Sequence, residues 1–381
     1  MFVYRDMTYY IILLVVYSIL GLKESFRPIS AKYKNIYTFF LVFPMFILTA
    51  LRSVNIGNDT ISYMSAYNSL SYMPNFVIVY LDGRMEIGYL FLSWLCNQIG
   101  LSYLQFQCII SAFIYFSFYK FFKWYSLNVA LCCFLFITMF RMGGTMNVIR
   151  MYCAIAILIY AIPCVLKRRL GAFLLVVVLA SLFHKSSFIF IVLYPLCIRK
   201  YNRVEHGFII FSSIIIAYLG ASFFEWLTTS LDLYEGYVNE ERFDNMNHTA
   251  VFLGLLITLL IYLYAKLMGY FGQPQYGALV NINDVCIKKQ SITLEYFCRI
   301  SLIITIGLSI IGLTNNIMGR VSGYFSIVTL IIISAVLFNM RNSYMKIFVY
   351  GVIIFLYTAY FIVILLYRPD WNHLVPYEWG I

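Results

Sequence analysis

Charge is what this chain has least of. Only 11% of its 381 residues are Asp, Glu, Lys or Arg, while 62% are hydrophobic; a soluble domain carries about 25% charged residues. That scarcity excludes an ordinary water-soluble fold. Sustained apolar–polar alternation is also missing, which argues against a transmembrane β-barrel. The apolar runs instead continue for roughly 17–21 residues, the length at which a helix crosses hydrocarbon. Backbone inside lipid satisfies its hydrogen bonds only as helix or closed barrel. The expected fold is therefore an all-α polytopic bundle, a single integral-membrane domain over 1–381.

Other absences narrow the chemistry. The nine cysteines are odd in number, stand in no CxxC, and fall mostly inside apolar runs. Neither a disulfide frame nor a metal site is indicated, since lipid-buried thiols behave as small hydrophobes. GxxxxGK[ST], HExxH and GxSxG are missing, which disfavours an ATP-driven pump, a zinc hydrolase and a serine hydrolase. The expectation is metal-free and cofactor-free chemistry. No internal repeat stands out, which weakens an inverted-repeat transporter reading. The first apolar run, 8–22, has its basic cluster after it and no small-residue cleavage site, so it is expected to stay as a span.

Lysines and arginines recur between alternate spans: Lys23/Arg27/Lys32/Lys34, Lys120/Lys123, Lys167/Arg168/Arg169, Arg199/Lys200/Arg203, Lys266/Lys288/Lys289 and Arg341/Lys346. The positive-inside rule makes these cytoplasmic. The net charge of +11 is then a topology signal, and no nucleic-acid partner is needed to explain it. Both termini fall outside and the spans number about twelve, at 8–22, 36–52, 101–119, 127–142, 146–166, 170–183, 186–198, 207–225, 249–266, 296–314, 322–340 and 346–366. The stretch 86–100 reads as a re-entrant or half-length helix. Outside lie a loop at 53–84, a short Arg141–Gly144 turn, an acidic loop at 226–249 and the C-terminal tail; inside lies a loop at 267–295.

On this topology Arg52, Arg84, Arg141, Arg150 and Arg320 end up on the non-cytoplasmic side, where arginine is disfavoured. Guanidinium forks suit phosphate oxygens and stay charged when partly desolvated, so an anionic ligand would justify them as a set. Each one singly is as well explained by a nearby acid (Asp59, Asp82, Glu86) or by lipid phosphates. Arg150 follows Asn147 by three residues on one helical face. Arg320 lies within Gly319–Gly323, a small-xxx-small spacing that permits close helix approach. His184 and Lys185 occupy a hinge between two short apolar runs. The histidine suits a general base and equally a hydrogen-bonded helix end. Asp59 suits a base, a sugar contact or a turn, the turn being favoured by local chemistry. Trp371, His373 and Tyr377 in the tail suit sugar stacking or an interfacial aromatic belt.

Taken in order, these residues resemble a known family. Arg52…Gly57-Asn58-Asp59-Thr60…Tyr63, Glu86-Ile87-Gly88-Tyr89, Asn147…Arg150, Phe183-His184-Lys185-Ser186, Gly319-Arg320 with Tyr324, and Pro376-Tyr377 are similar to successive elements of EpsG/Wzy-type polysaccharide polymerases. Met151 stands where that family usually has Gln. The resemblance implies polymerisation of undecaprenyl-pyrophosphate-linked oligosaccharide repeats at the outer face of a bacterial cytoplasmic membrane. It implies His184, Arg150 and Asp59 as catalytic residues, and Arg52, Arg84, Glu86, Arg141, Asn147, Lys185, Arg320 and Tyr324 as substrate-binding ones. Expected partners are the lipid-linked glycans, membrane lipids, a chain-length regulator and a flippase. A lipid-linked oligosaccharide flippase or transporter, and an O-antigen ligase-like transferase, remain alternatives.

Overall fold

A computed structural model describes residues 7–73, 75–82, 85–199, 207, 211–212, 215, 248–272, 292–313 and 316–380. Every named element among them is helical. In chain order the α-helices are α1 Thr8–Phe26, α2 Ala31–Ala50, α3 Thr60–Ser69, α4 Phe76–Asp82, α5 Ile87–Gln98, α6 Tyr103–Tyr125, α7 Val129–Thr138, α8 Arg141–Asn147, α9 Ile149–Leu158, α10 Ala161–Leu166, α11 Leu170–Ser181 and α12 Leu193–Ile198. They continue with α13 His248–Leu267, α14 Leu294–Ile311, α15 Asn316–Val321, α16 Gly323–Ser326, α17 Val328–Phe338 and α18 Ser343–Tyr367.

Among the described residues five segments are long and apolar enough to cross a membrane: α1, α2, α9–α10 taken together, α14 and α18. The bent pairs α7/α8 and α15–α16/α17, broken by 57° and 45°, raise the number to seven if each is one span. Twelve spans were expected. The runs at 170–183 and 186–198 become the 12-residue α11 and a 3-10 turn leading into α12, too short singly to match a hydrocarbon core of about 30 Å. Most of the expected span at 207–225 and of the 226–249 and 267–295 loops, together with Arg84, lie outside the described residues. The stretch 86–100 is a half-length helix, α5, ended by Gly100 at φ +82°. Within the expected loop 53–84 the chain forms α3 and α4. The expected turn at Arg141–Gly144 is instead the start of helix α8, entered through Phe140 in the left-handed region at φ 57°. Gly143 and Gly144 serve contact rather than turning: a Cβ on Gly144 would lie 2.3 Å from the Tyr152 ring, and one on Gly143 2.8 Å from Leu374.

α7 is buried along all ten residues, and α17 over all but its last. A helix apolar all round belongs at the centre, and these two pack against each other there. α1 packs on α7, and α2 on α6. At one end of the bundle, Glu24 accepts from Ala130 N at 3.0 Å, placing an anion at the N-terminus of α7. At that same end Lys34 Nζ donates to Ser126 O at 2.8 Å and Lys346 Nζ to Ser25 O at 3.2 Å. At the opposite end the tail is laced onto the α2–α3 connection: Ser53 N donates to Glu378 O, Gly380 N to Leu51 O and Gly57 N to His373 O. Tyr10 near the start of α1 donates to Leu374 O at 3.3 Å, so the start of α1 and the tail share this end. The site described next is there too.

Candidate functional site

Two side chains distant in sequence, Arg150 and His184, meet at Glu86. The residue sits at the N-cap of α5 in an extended conformation (φ −65°, ψ 142°) with its side chain unused for capping. Arg150, in the first turn of α9, donates through Nη1 to Glu86 Oε2, and its Nε donates to the Tyr63 hydroxyl at 3.3 Å. His184 Nδ1 lies 2.7 Å from Glu86 Oε1, and Lys185 N donates to the same oxygen at 3.2 Å. The approach depends on Gly88. Its N–H donates to Leu182 O at 2.7 Å, and a Cβ there would stand 2.8 Å from that oxygen. Glycine lets the start of α5 lie against the hinge that carries His184.

Burial resists ionisation of Glu86, but the hydrogen bond from His184 and the charge of Arg150 outweigh it and hold the carboxyl at about 2. An ionised Glu86 accepts Nδ1–H, leaving Nε2 of His184 as the basic nitrogen. The arrangement is a histidine oriented by a carboxylate, itself neutralised by an arginine. The His184 side chain keeps 25% of its surface exposed, against 9% for Glu86.

On the other side of α9 and α16 lies a cavity of about 510 Å³. Arg141 lines it and donates to Ser326 Oγ at 2.7 Å; Arg320 lines it with an exposed side chain. Asn147 and Asp59 contribute further polar wall, joined by a bond from Asp59 N to Asn147 Oδ1 at 3.2 Å. Asp59 starts α3 without a side-chain capping bond. α16 connects the two clusters: its Tyr324 hydroxyl is 2.9 Å from Ser186 Oγ beside His184, while its Ser326 holds Arg141. Close packing thins the wall between them. A Cβ on Gly323 would lie 2.6 Å from Met151.

Residues 35–379 match the EpsG family. The chain belongs to the EpsG family. EpsG proteins form part of the Wzy-type polymerase group, and membership implies a polysaccharide polymerase role in exopolysaccharide biosynthesis. No curated protein and no solved structure matches the chain.

In this EpsG-family chain the four arginines of the set that are described, Arg52, Arg141, Arg150 and Arg320, do not converge. Arg141 and Arg320 share the cavity, whereas Arg150 turns to Glu86. Arg52 is 1% exposed and serves the scaffold, donating to Thr49 O at 2.5 Å and Met146 O at 2.9 Å. It ties the end of α2 to the end of α8. Lys185 is exposed and contributes its backbone N–H to Glu86. Tyr63 and Ser326 were not anticipated as partners of the arginines. Tyr63 lay inside the recognised motif; Ser326 carries no local signal. Met151, at the usual Gln position, lines the cavity and packs toward Gly323.

Proposed function

We propose that this EpsG-family protein polymerises undecaprenyl-pyrophosphate-linked oligosaccharide repeats at the outer face of the bacterial cytoplasmic membrane, as a multi-pass protein with both termini on that side. Support comes from one observation above all. A carboxylate-oriented histidine and a pair of arginines in a ligand-sized cavity occupy two sides of the same short helices. Pockets of about 300–1,000 Å³ suit small-molecule headgroups, so the cavity suits the reacting headgroup and not the whole polymer.

In this reading a hydroxyl of the incoming repeat attacks the anomeric carbon of the growing glycan. The bond from that carbon to the diphosphate oxygen breaks, and undecaprenyl diphosphate leaves with the electron pair. The hydroxyl proton passes to Nε2 of His184, which this reading has meet the cavity when the thin wall of α9 and α16 yields to the bound substrates, and then to solvent. Arg141 and Arg320 face the leaving diphosphate, where preorganised cations act on the developing charge. Glu86 stabilises the imidazolium that forms, and Arg150 keeps Glu86 ionised and in place. Asn147 and Asp59 line the glycan path.

Purified protein incubated with a matched lipid-linked repeat should yield a ladder of glycan lengths on a gel. Arg141→Ala and Arg320→Ala should each slow laddering by roughly 10²-fold or more, the scale of losing one electrostatic stabiliser. An active, correctly matched substrate that gives no ladder would sink the polymerase reading.

A further inference from the structure

The cavity has a second set of polar groups that the transfer chemistry leaves unused. Asn58, Trp371 and Asn372 line it beside Asp59. The loop and the tail hold each other there: Asn58 Nδ2 donates to Asp370 O at 3.1 Å and to Trp371 O at 3.4 Å. Gly57, at φ +88°, gives its N–H to His373 O at 3.1 Å. A Cβ at Gly57 would be 2.6 Å from Met146 O, so glycine sets both the conformation and the approach of this loop. With loop and tail fixed in this way, the Asp59 carboxylate, the Asn58 amide oxygen and one face of the Trp371 ring can meet a ligand. The Asp59 carboxylate makes no capping bond, Asn58 donates only to tail carbonyls, and the half-buried Trp371 ring carries the Arg368 guanidinium over one face, 5.9 Å from its centroid.

An aromatic face flanked by amides and a carboxylate is the chemistry that binds a sugar ring. The ring's C–H face covers the indole while its hydroxyls exchange hydrogen bonds with planar polar groups. Placement indicates which sugar. Asn147, which holds Asp59, lies six residues along α8 from Arg141, roughly 9 Å at helical rise. A diphosphate and the ring attached to it bridge such a separation. We infer that Trp371 and Asn372, with Asn58 and Asp59, form a subsite for the neutral sugar ring attached to the diphosphate. Asp59 lines the cavity whereas Arg368 does not, and Arg141 and Arg320 are matched by the diphosphate, so the Asp59 charge disfavours a uronic acid at that position. The inference rests on the diphosphate reading of the cavity.

The test compares binding of three short-chain lipids to the full-length protein in nanodiscs: farnesyl diphosphate, and the same lipid carrying N-acetylglucosamine or glucuronic acid. The neutral sugar should tighten binding by roughly tenfold over the bare lipid, and glucuronic acid should not. Trp371→Ala and Asn372→Ala should remove that gain and leave binding of the bare lipid unchanged; Trp371→Phe should keep most of it. Asp59→Asn should improve binding of the glucuronate lipid. Arg141→Ala should weaken all three. Bare lipid that binds with no gain from the sugar, or a gain that survives Trp371→Ala, overturns the subsite alone. Failure of farnesyl diphosphate to bind overturns the diphosphate reading and the subsite with it.

Discussion

Glu86 carries the densest set of interactions at the site, and its ionisation sets what the neighbours do. Its folded-state value of about 2 lies below the ordinary 4.5. A depressed carboxyl contributes stability that is present above the ordinary value and is lost as pH falls through the folded one. The difference corresponds to on the order of 3 kcal/mol at neutral pH. Thermal unfolding in detergent should therefore show a Glu86 contribution that is constant from pH 7 to about 5 and declines between about 4.5 and 2. Glu86→Gln should flatten the profile in that acid window and should also abolish laddering at neutral pH, because an amide neither pairs Arg150 nor stabilises a protonated His184. Arg52 provides the contrast. It spans two carbonyls with one planar fork, which lysine does not reproduce. Arg52→Lys should lower the unfolding midpoint by the equivalent of about 1–3 kcal/mol, and the folded fraction should still bind farnesyl diphosphate. A variant that is fully stable yet unable to bind would place Arg52 in the site instead.

At the scale of elements, short helices and their glycines do the positioning. α5, α8, α15 and α16 are each half-length or less, and each brings one motif residue to the polar end of the bundle. Gly88 is the most exacting joint. Gly88→Ala sets a methyl 2.8 Å from Leu182 O and 3.0 Å from Leu182 Cβ, against backbone and a side-chain root that have little room to yield. Overpacking of this kind costs about 1–3 kcal/mol, and its local effect is to move the hinge off Glu86. Laddering should fall far more than stability, and histidine NMR should show His184 losing its Nδ1 hydrogen bond. The Glu-x-Gly pattern was legible in the sequence as a motif; its reason was not, because the contact is with a residue from another helix. The same holds for Gly143–Gly144. Paired glycines between polar residues read as a turn from local chemistry, while in the fold they make room for Tyr152 and Leu374 inside a continuing helix.

For the whole molecule, the charges divide the bundle into two ends. Lys34, Lys346 and Glu24 hold one end, and the loop–tail layer with the candidate site holds the other. The start of α1 and the C-terminal tail lie together at the site end. Epitope tags fused to both termini should therefore react with membrane-impermeant reagents from the same side in intact spheroplasts, and the proposed topology makes that side the outside. Labelling of the two tags from opposite sides would contradict the packing of Tyr10 against Leu374.

Composition alone determined the solvent of this protein and its helical class, because a backbone in lipid has almost no other way to satisfy its hydrogen bonds. Ordered short motifs were enough to indicate the family, since each preserves a local shape or charge that is visible along the chain. Only the tertiary structure decided which arginine packs against what. Arg150 meets Glu86 across 64 residues and His184 meets Glu86 across 98. A charge meets a carboxylate or lines a cavity according to what packs beside it, and sequence distance carries no record of that.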